Sequence, residues 1–309
     1  MVNVFIDGKE GTTGLQIFER LGKRNDVSIV TLPEELRKDP AARKECINGA
    51  DIVFLCLPDA AARESVSLCE NERVRILDAS TAHRTNPAWA YGFPELSKEH
   101  RRRIAEGKRV AVPGCHASGF ISLVYPLIAG GIIAPDYPLV CHSVTGYSGG
   151  GKKMIAEYES EGRSIALDSP RQYALGQAHK HLPEMQAVCG LTYAPSFQPI
   201  VSDYYCGMCV TVPLHVRLMQ KKMGVKELKQ YFAEYYARQN FIKIVEESRS
   251  FLPANPLAGT NDMEINIDGN EERILLASVF DNLGKGASGA AVQCMNIMLG
   301  MDERTSLSL

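Results

Sequence analysis

The chain has 309 residues, 45% of them hydrophobic and 23% charged, with 34 basic and 36 acidic residues and a formal net charge of −2. That length favours two domains over a single core, and the near balance of charge excludes a partner held by bulk basicity, such as nucleic acid or an anionic membrane surface. The nine cysteines are odd in number and scattered through apolar segments, which excludes a disulfide scaffold and predicts a reducing cytoplasm.

The opening residues lack the charged head and long apolar stretch of a secretory signal, and no apolar run is long enough to span a bilayer. Residues 2–6 form a short β-rich run closed by Asp7-Gly8, which predicts a buried strand. A helix is predicted over 13–21, where apolar residues fall at 15, 17, 18 and 21. Strands over 27–31, 51–57 (stopped by Pro58), 75–78 and 109–112 (stopped by Pro113) alternate with helices over 41–47 and 60–69. Such alternation predicts an α/β fold with a Rossmann-type, doubly wound parallel sheet. The basic run Glu99-His100-Arg101-Arg102-Arg103 falls in helical sequence and reads as a solvated face.

Beyond about residue 113 the pattern changes. Longer strands with partial alternation are predicted over 139–144, 207–216, 262–267 and 274–280, with a helix over 225–237. These predict a second, mixed α+β substrate and dimerisation domain. The Ala-rich segment 286–298 reads as a helix returning to the first domain. The expected division is 1–113 plus about 283–309 for the dinucleotide-binding domain and 114–282 for the catalytic domain.

Between the first strand and first helix lies Gly8-Lys9-Glu10-Gly11-Thr12-Thr13-Gly14, with GxxGxxG spacing. Glycine lets the backbone turn tightly and approach a diphosphate, which then meets the helix N-terminus, while Thr12 and Thr13 add donors. After the second strand, Glu34 or Glu35 would hold a ribose diol and favour NAD, whereas Arg37 or Lys38 would hold a 2′-phosphate and favour NADP. The residues themselves leave both open.

In Val112-Pro113-Gly114-Cys115-His116-Ala117-Ser118-Gly119 a strand ends at Pro-Gly and an apolar helix begins. Cys115 therefore falls at a helix N-terminus, where backbone amides and the helix dipole stabilise a thiolate and can receive an oxyanion. Cys46, Cys56, Cys69, Cys141 and Cys294 read instead as buried small hydrophobes. The pair Cys206 and Cys209 is read the same way, on opposite faces of a strand and with no second pair to complete a zinc site. A thiolate needs a proton partner, and His179-Lys180-His181-Leu182-Pro183-Glu184 offers two imidazoles and a carboxylate. On an extended strand a spacing of two turns both rings to one side. No third or fourth ligand accompanies them, so no metal is expected. His83, His100, His142 and His215 stand alone and read as structural.

Together these segments resemble the shorter-form N-acetyl-gamma-glutamyl-phosphate reductase family of arginine biosynthesis. The resemblance is carried by Phe5-Ile6-Asp7-Gly8 with Gly11-Thr12-Thr13-Gly14, and by Phe54-Leu55-Cys56-Leu57-Pro58-Asp59. It continues through Asp78-Ala79-Ser80-Thr81-Ala82-His83-Arg84, Tyr91-Gly92-Phe93-Pro94-Glu95-Leu96 and the cysteine motif, in which Ser118 stands where Thr is common. The stretches from His142 to Lys153, His179-x-His181-x-x-Glu184 and Asp281 to Gly289 complete it.

The resemblance implies NADP(H) as cofactor, an acyl phosphate as substrate, a thioester on Cys115 and a homo-oligomer, usually a tetramer. Under it His181 is the expected partner of Cys115, with His179 and Glu184 in support, and Arg84 is a phosphate-clamp candidate because its guanidinium pairs with phosphate oxygens. Ser148, Gly149 and Gly150 are candidate substrate donors, against the alternative of a plain flexible loop. Asn282, Lys285 and Gly286 join Arg37 and Pro58 as cofactor candidates, against a surface-lysine reading for Lys285. The rival readings are a cysteine hydrolase or acyltransferase without nucleotide, a non-catalytic NADP-binding sensor and, among reductases, an aspartyl or carrier-linked acyl phosphate as substrate.

Overall fold

The computed structural model describes residues 1–308, which divide into two compact units, 1–114 with 287–308 and 115–286. The first unit runs β1 (Val2–Asp7), α1 (Thr12–Leu21), β2 (Val27–Val30), α2 (Pro40–Gly49), β3 (Ile52–Leu55), α3 (Asp59–Leu68), β4 (Arg75–Asp78), β5 (Ala90–Tyr91), α4 (Lys98–Glu106) and β6 (Arg109–Ala111). Its strands form one parallel sheet in the order β2-β1-β3-β4-β6-β5. All residues of β3 are buried, and a strand covered on both faces is an unbroken apolar run.

Helix starts follow local chemistry. Asp39 caps α2 by accepting from the Ala42 amide, with Pro40 at the first helical position, and Ser97 caps α4 by accepting from the His100 amide. The buried Asp7 carboxylate ends β1 and ties it to two helices, accepting from Arg43 Nη2 at 3.1 Å and from Ser65 Oγ at 2.8 Å. Removing one member of such a buried pair costs about 3–5 kcal/mol. The basic run on α4 is spent on ion pairs. Arg102 reaches Glu99 and Glu106, and Arg101 reaches the buried Glu303.

The second unit contains α5 (Cys115–Ala129), β7 (Val140–Gly146), α6 (Gly151–Glu159), β8 (Arg171–Gln172), α7 (Leu182–Cys189), β9 (Ser196–Ser202), β10 (Met208–His215), α8 (Val225–Tyr236), β11 (Ile242–Ile244), β12 (Met263–Gly269) and β13 (Arg273–Phe280). A mixed sheet joins these strands in the order β11-β12-β13-β10-β7-β9-β8. Helix α5 lies against β10 and β13. A Cβ on Gly119 would overlap the Val210 side chain and lie 2.9 Å from Phe280, and overpacking of that kind costs about 1–3 kcal/mol. Pro126 sits inside α5 and cannot donate to the carbonyl of Ser122, which accepts from Tyr236 Oη of α8 at 2.8 Å instead. The final helix, α9 (Gly289–Met298), belongs to the first unit.

Two expectations fail here. Residues 179–181 are not a strand: His181 has helical backbone angles immediately before α7. Strand β9 is not anticipated at all, because Pro199 interrupts its apolar run and its partner β7 lies far away in sequence.

Candidate active site

In the first unit the glycine turn closes between β1 and α1 through a 3.0 Å bond from the Gly11 amide to the Gly8 carbonyl. Gly8 has φ +85°, and a Cβ there would overlap the Cys56 carbonyl. A Cβ on Gly14 would fall 2.6 Å from the Gly8 carbonyl. The turn is therefore as thin as backbone allows. Thr12 opens α1, and its Oγ1 is buried without a hydrogen-bond partner. Bare helix-start amides, an orphaned hydroxyl and a floor without side chains fit a diphosphate. Pro58 precedes α3 as its N-terminal cap residue.

Arg37 and Glu34, the opposed ribose candidates, are both exposed and pair with each other at 3.4 Å. Arg84 is anchored within this unit, donating from Nε to the Val112 carbonyl at 2.9 Å and from Nη2 to the Ala79 carbonyl at 3.1 Å. His83 does not stand alone. Its Nδ1 lies 2.6 Å from the buried Asp78 carboxylate, and its ring stacks on Trp89 at 4.1 Å.

In the second unit Cys115 is the first residue of α5 and is half-buried. Gly286 presses against it, for a Cβ there would stand 2.9 Å from Cys115 Cβ. The next residue, His116, is buried, with Nδ1 2.7 Å from Ser143 Oγ on β7 and Nε2 2.7 Å from Tyr173 Oη. Burial, reinforced by the charges of His179 and Lys180, pushes the His116 imidazole down to about 3, so it is neutral at any working pH. The His116 ring lies 5.6 Å from both His179 and His181, and those two meet at 4.7 Å. Phe197 closes the group at 5.1 Å from His179. The His181 amide donates to His179 Nδ1 at 3.2 Å. That nitrogen therefore carries a lone pair, and the His179 proton belongs on Nε2. His181 and Glu184 are both buried, with Glu184 in the first turn of α7.

The glycine-rich segment is not a plain loop. Tyr147–Gly150 forms one 3-10 turn leading into α6. Ser148 is buried and accepts from Asn282 Nδ2 at 3.0 Å, while Asn282 Oδ1 accepts from the Gly207 amide at 2.8 Å. Asn282, expected at a cofactor, thus has its amide committed to bracing the Ser148 turn. Gly149 and Gly150 are exposed beside it. Lys285, a cofactor candidate, is buried at 2% exposed with Nζ 5.6 Å from the Phe241 ring, so the alternative of a surface lysine does not hold. Cys206 precedes β10 rather than sharing it with Cys209, and burial, with the charge of Asp281 after it, pushes the Cys206 thiol up to about 11. In the cluster that adjoins Cys115 through His116, the residues Ser143, His116 and Tyr173 were not among the expected site residues. The only signals for the last two are adjacency to Cys115 and nearness in sequence to His179.

Among the described residues no group of three or more His, Cys, Asp or Glu is arranged to hold a metal ion, and no helix is long and apolar enough to cross a membrane. Residues 19–104 match the semialdehyde dehydrogenase NAD binding domain, and 115–282 match the semialdehyde dehydrogenase dimerisation domain. The chain is 47% identical over 96% of its length to N-acetyl-gamma-glutamyl-phosphate reductase of Burkholderia ambifaria, covering 96% of that protein. It is 45% identical to N-acetyl-gamma-glutamyl-phosphate reductase 2 of Pseudomonas putida, with 96% of each chain covered. Its fold is similar to that of aspartate semialdehyde dehydrogenase from Francisella tularensis, with a TM-score of 0.73 at 13% identity over 97% of this chain and 100% of that one.

Proposed function

This chain belongs to the N-acetyl-gamma-glutamyl-phosphate reductase family of the semialdehyde dehydrogenases, and we propose that it reduces N-acetyl-gamma-glutamyl phosphate to the semialdehyde, with release of phosphate, through a thioester on Cys115 in arginine biosynthesis. The observation that carries the cysteine route is the position of Cys115 as the first residue of α5, beside a packed group of three imidazoles. Helix-start amides stabilise its thiolate. The sulfur attacks the acyl carbon, a C–S bond forms, and phosphate leaves with the electrons of the C–O bond.

NADPH, when bound, would supply hydride chemistry at the thioester carbonyl, leaving a thiohemiacetal anion on Cys115. Gly8, Gly11, Thr12, Thr13 and Gly14 would hold its diphosphate, with Pro58 and Arg37 beside the remainder. The anion then collapses, reforming the carbonyl and returning the electron pair to sulfur.

His181 is assigned as the proton partner of Cys115. His116 stays neutral and is engaged by Ser143 and Tyr173, and His179 accepts from the His181 amide, so His181 is the ring given that role. Glu184, one residue beyond Pro183 on α7, supports the group. The Ser148–Gly150 turn offers donors to substrate. Arg84 is assigned as a brace rather than a phosphate clamp, because two of its donors serve backbone carbonyls. A cytoplasmic homotetramer completes the reading.

The test runs the reaction backwards, following phosphate-dependent NADP reduction with N-acetylglutamate semialdehyde against aspartate semialdehyde. The acetylated substrate is expected to be strongly preferred. A preference for aspartate semialdehyde would move the substrate reading to the structurally similar dehydrogenases.

A further inference from the structure

Strand β8 leaves the mixed sheet abruptly. It runs antiparallel to β9, pairing Arg171 with Val201 and Gln172 with Ile200, and the Tyr173 amide extends the ladder by donating to the Pro199 carbonyl at 3.0 Å. The next hydrogen-bonded pair of such a ladder would set Leu175 opposite Phe197. Instead the chain turns outward. Ala174 has φ +51° and Gln177 has φ +53°, and the Gln177 amide closes the turn on the Ala174 carbonyl at 3.0 Å. Both residues lie in the left-handed region, which residues carrying a Cβ avoid. Two of them in one four-residue turn persist only where neighbouring contacts hold them, and such strain collects at functional sites.

The Gln177 side chain takes the place of the missing strand residue. Its Nε2 donates to the Phe197 carbonyl at 2.7 Å, and the Phe197 amide donates to its Oε1 at 2.8 Å. One side-chain amide thereby makes both bonds of a ladder pair. Among the described residues no other hydrogen bond fastens 174–178 to β9. The Phe197 ring, on the backbone so gripped, meets the His179 ring at 5.1 Å and the His116 ring at 5.2 Å. His179 itself follows the clamp by two residues.

We infer that Gln177 is a positioning residue for the reaction. By gripping the backbone of Phe197 it holds the strained turn closed, and so sets where His179 meets Phe197 and His116 in the imidazole group. Its action passes through His179, whose Nδ1 in turn accepts from the His181 amide. Catalytic geometry tolerates little displacement, about 1 Å costing about a hundredfold in rate. Gln177 is exposed, so its replacement leaves the interior of the sheet intact. The inference rests on the imidazole group serving Cys115.

The experiment measures kcat and KM of the full chain in the phosphate-dependent reverse reaction with N-acetylglutamate semialdehyde. It compares Gln177→Ala, His179→Ala and the double variant, each checked by a melt. Gln177→Ala should lower kcat about tenfold, with KM for the semialdehyde and for phosphate within about twofold of the parent. In the His179→Ala background the same change should cost less than about twofold, because the ring it places is gone. Gln177→Glu keeps the length and the acceptor but, ionised, has no donor for the Phe197 carbonyl, and its kcat should fall about threefold. That variant carries the test if Gln177→Ala is unfolded. Folded variants with kcat within about twofold of the parent, or a loss as large in the His179→Ala background as in the parent, would overturn the inference. Parent-like turnover of His179→Ala is a different result, and it would remove His179 from the imidazole reading itself.

Discussion

The glycine turn and the cysteine pocket both sit at helix starts, but they are assembled differently. The turn is contiguous, Gly8 to Gly14, and its working property is the lack of side chains against the Gly8 and Cys56 carbonyls. The pocket gathers Cys115 and His116 from α5, Ser143 from β7, Tyr173 from beyond β8, His179 and His181 from the approach to α7, and Gly286 from beyond β13. A contiguous site is set by backbone geometry and fails by steric intrusion. A gathered site is set by sheet pairing and fails by loss of single functional groups. Damage to one should therefore leave the other's readout intact.

The largest expected effect is on the pocket. Cys115→Ser should cut turnover by about a thousandfold or more while an NADPH titration stays unchanged. Near-normal turnover would remove the covalent route. Gly14→Ala attacks the turn. Its Cβ meets backbone rather than a movable side chain, so NADPH affinity should fall about tenfold or more, a loss of roughly 1.4 kcal/mol, with the Cys115 alkylation rate held. A matching loss of alkylation would mean that the two sites are not independent.

The smallest effect sharpens the comparison at Arg84. Arg84→Ala should lower stability by about 2 kcal/mol through the lost carbonyl bonds, read by denaturant melts, with little change in KM for phosphate in the reverse direction. A large rise in that KM at unchanged stability would make Arg84 a substrate contact instead.

The fold was legible in unequal parts. The parallel sheet was readable because each of its apolar runs is punctuated by a proline, a glycine or a polar turn, as β3 is by Pro58. In the second unit β10, β12 and β13 were readable from their length. Strand β9 was hidden by Pro199, and α7 by the expectation of an extended His179–His181 segment. The site divides the same way. Gly8, Gly11, Gly14 and Cys115 were visible because their spacing is local. His116 and Tyr173 were not, because nothing nearby in sequence says which hydroxyl an imidazole will meet.

By itself the sequence determined where backbones must turn and where helices begin, and so put a cysteine on bare amides and glycines beneath a phosphate-sized turn. Tertiary structure decided protonation and commitment. His116 is neutral because distant segments strip its water, Lys285 is buried because the fold closes over it, and the Asn282 amide is spent on Ser148 and Gly207. Backbone propensity acts over a few residues. Desolvation and hydrogen-bond choice depend on which remote segments the sheets bring together.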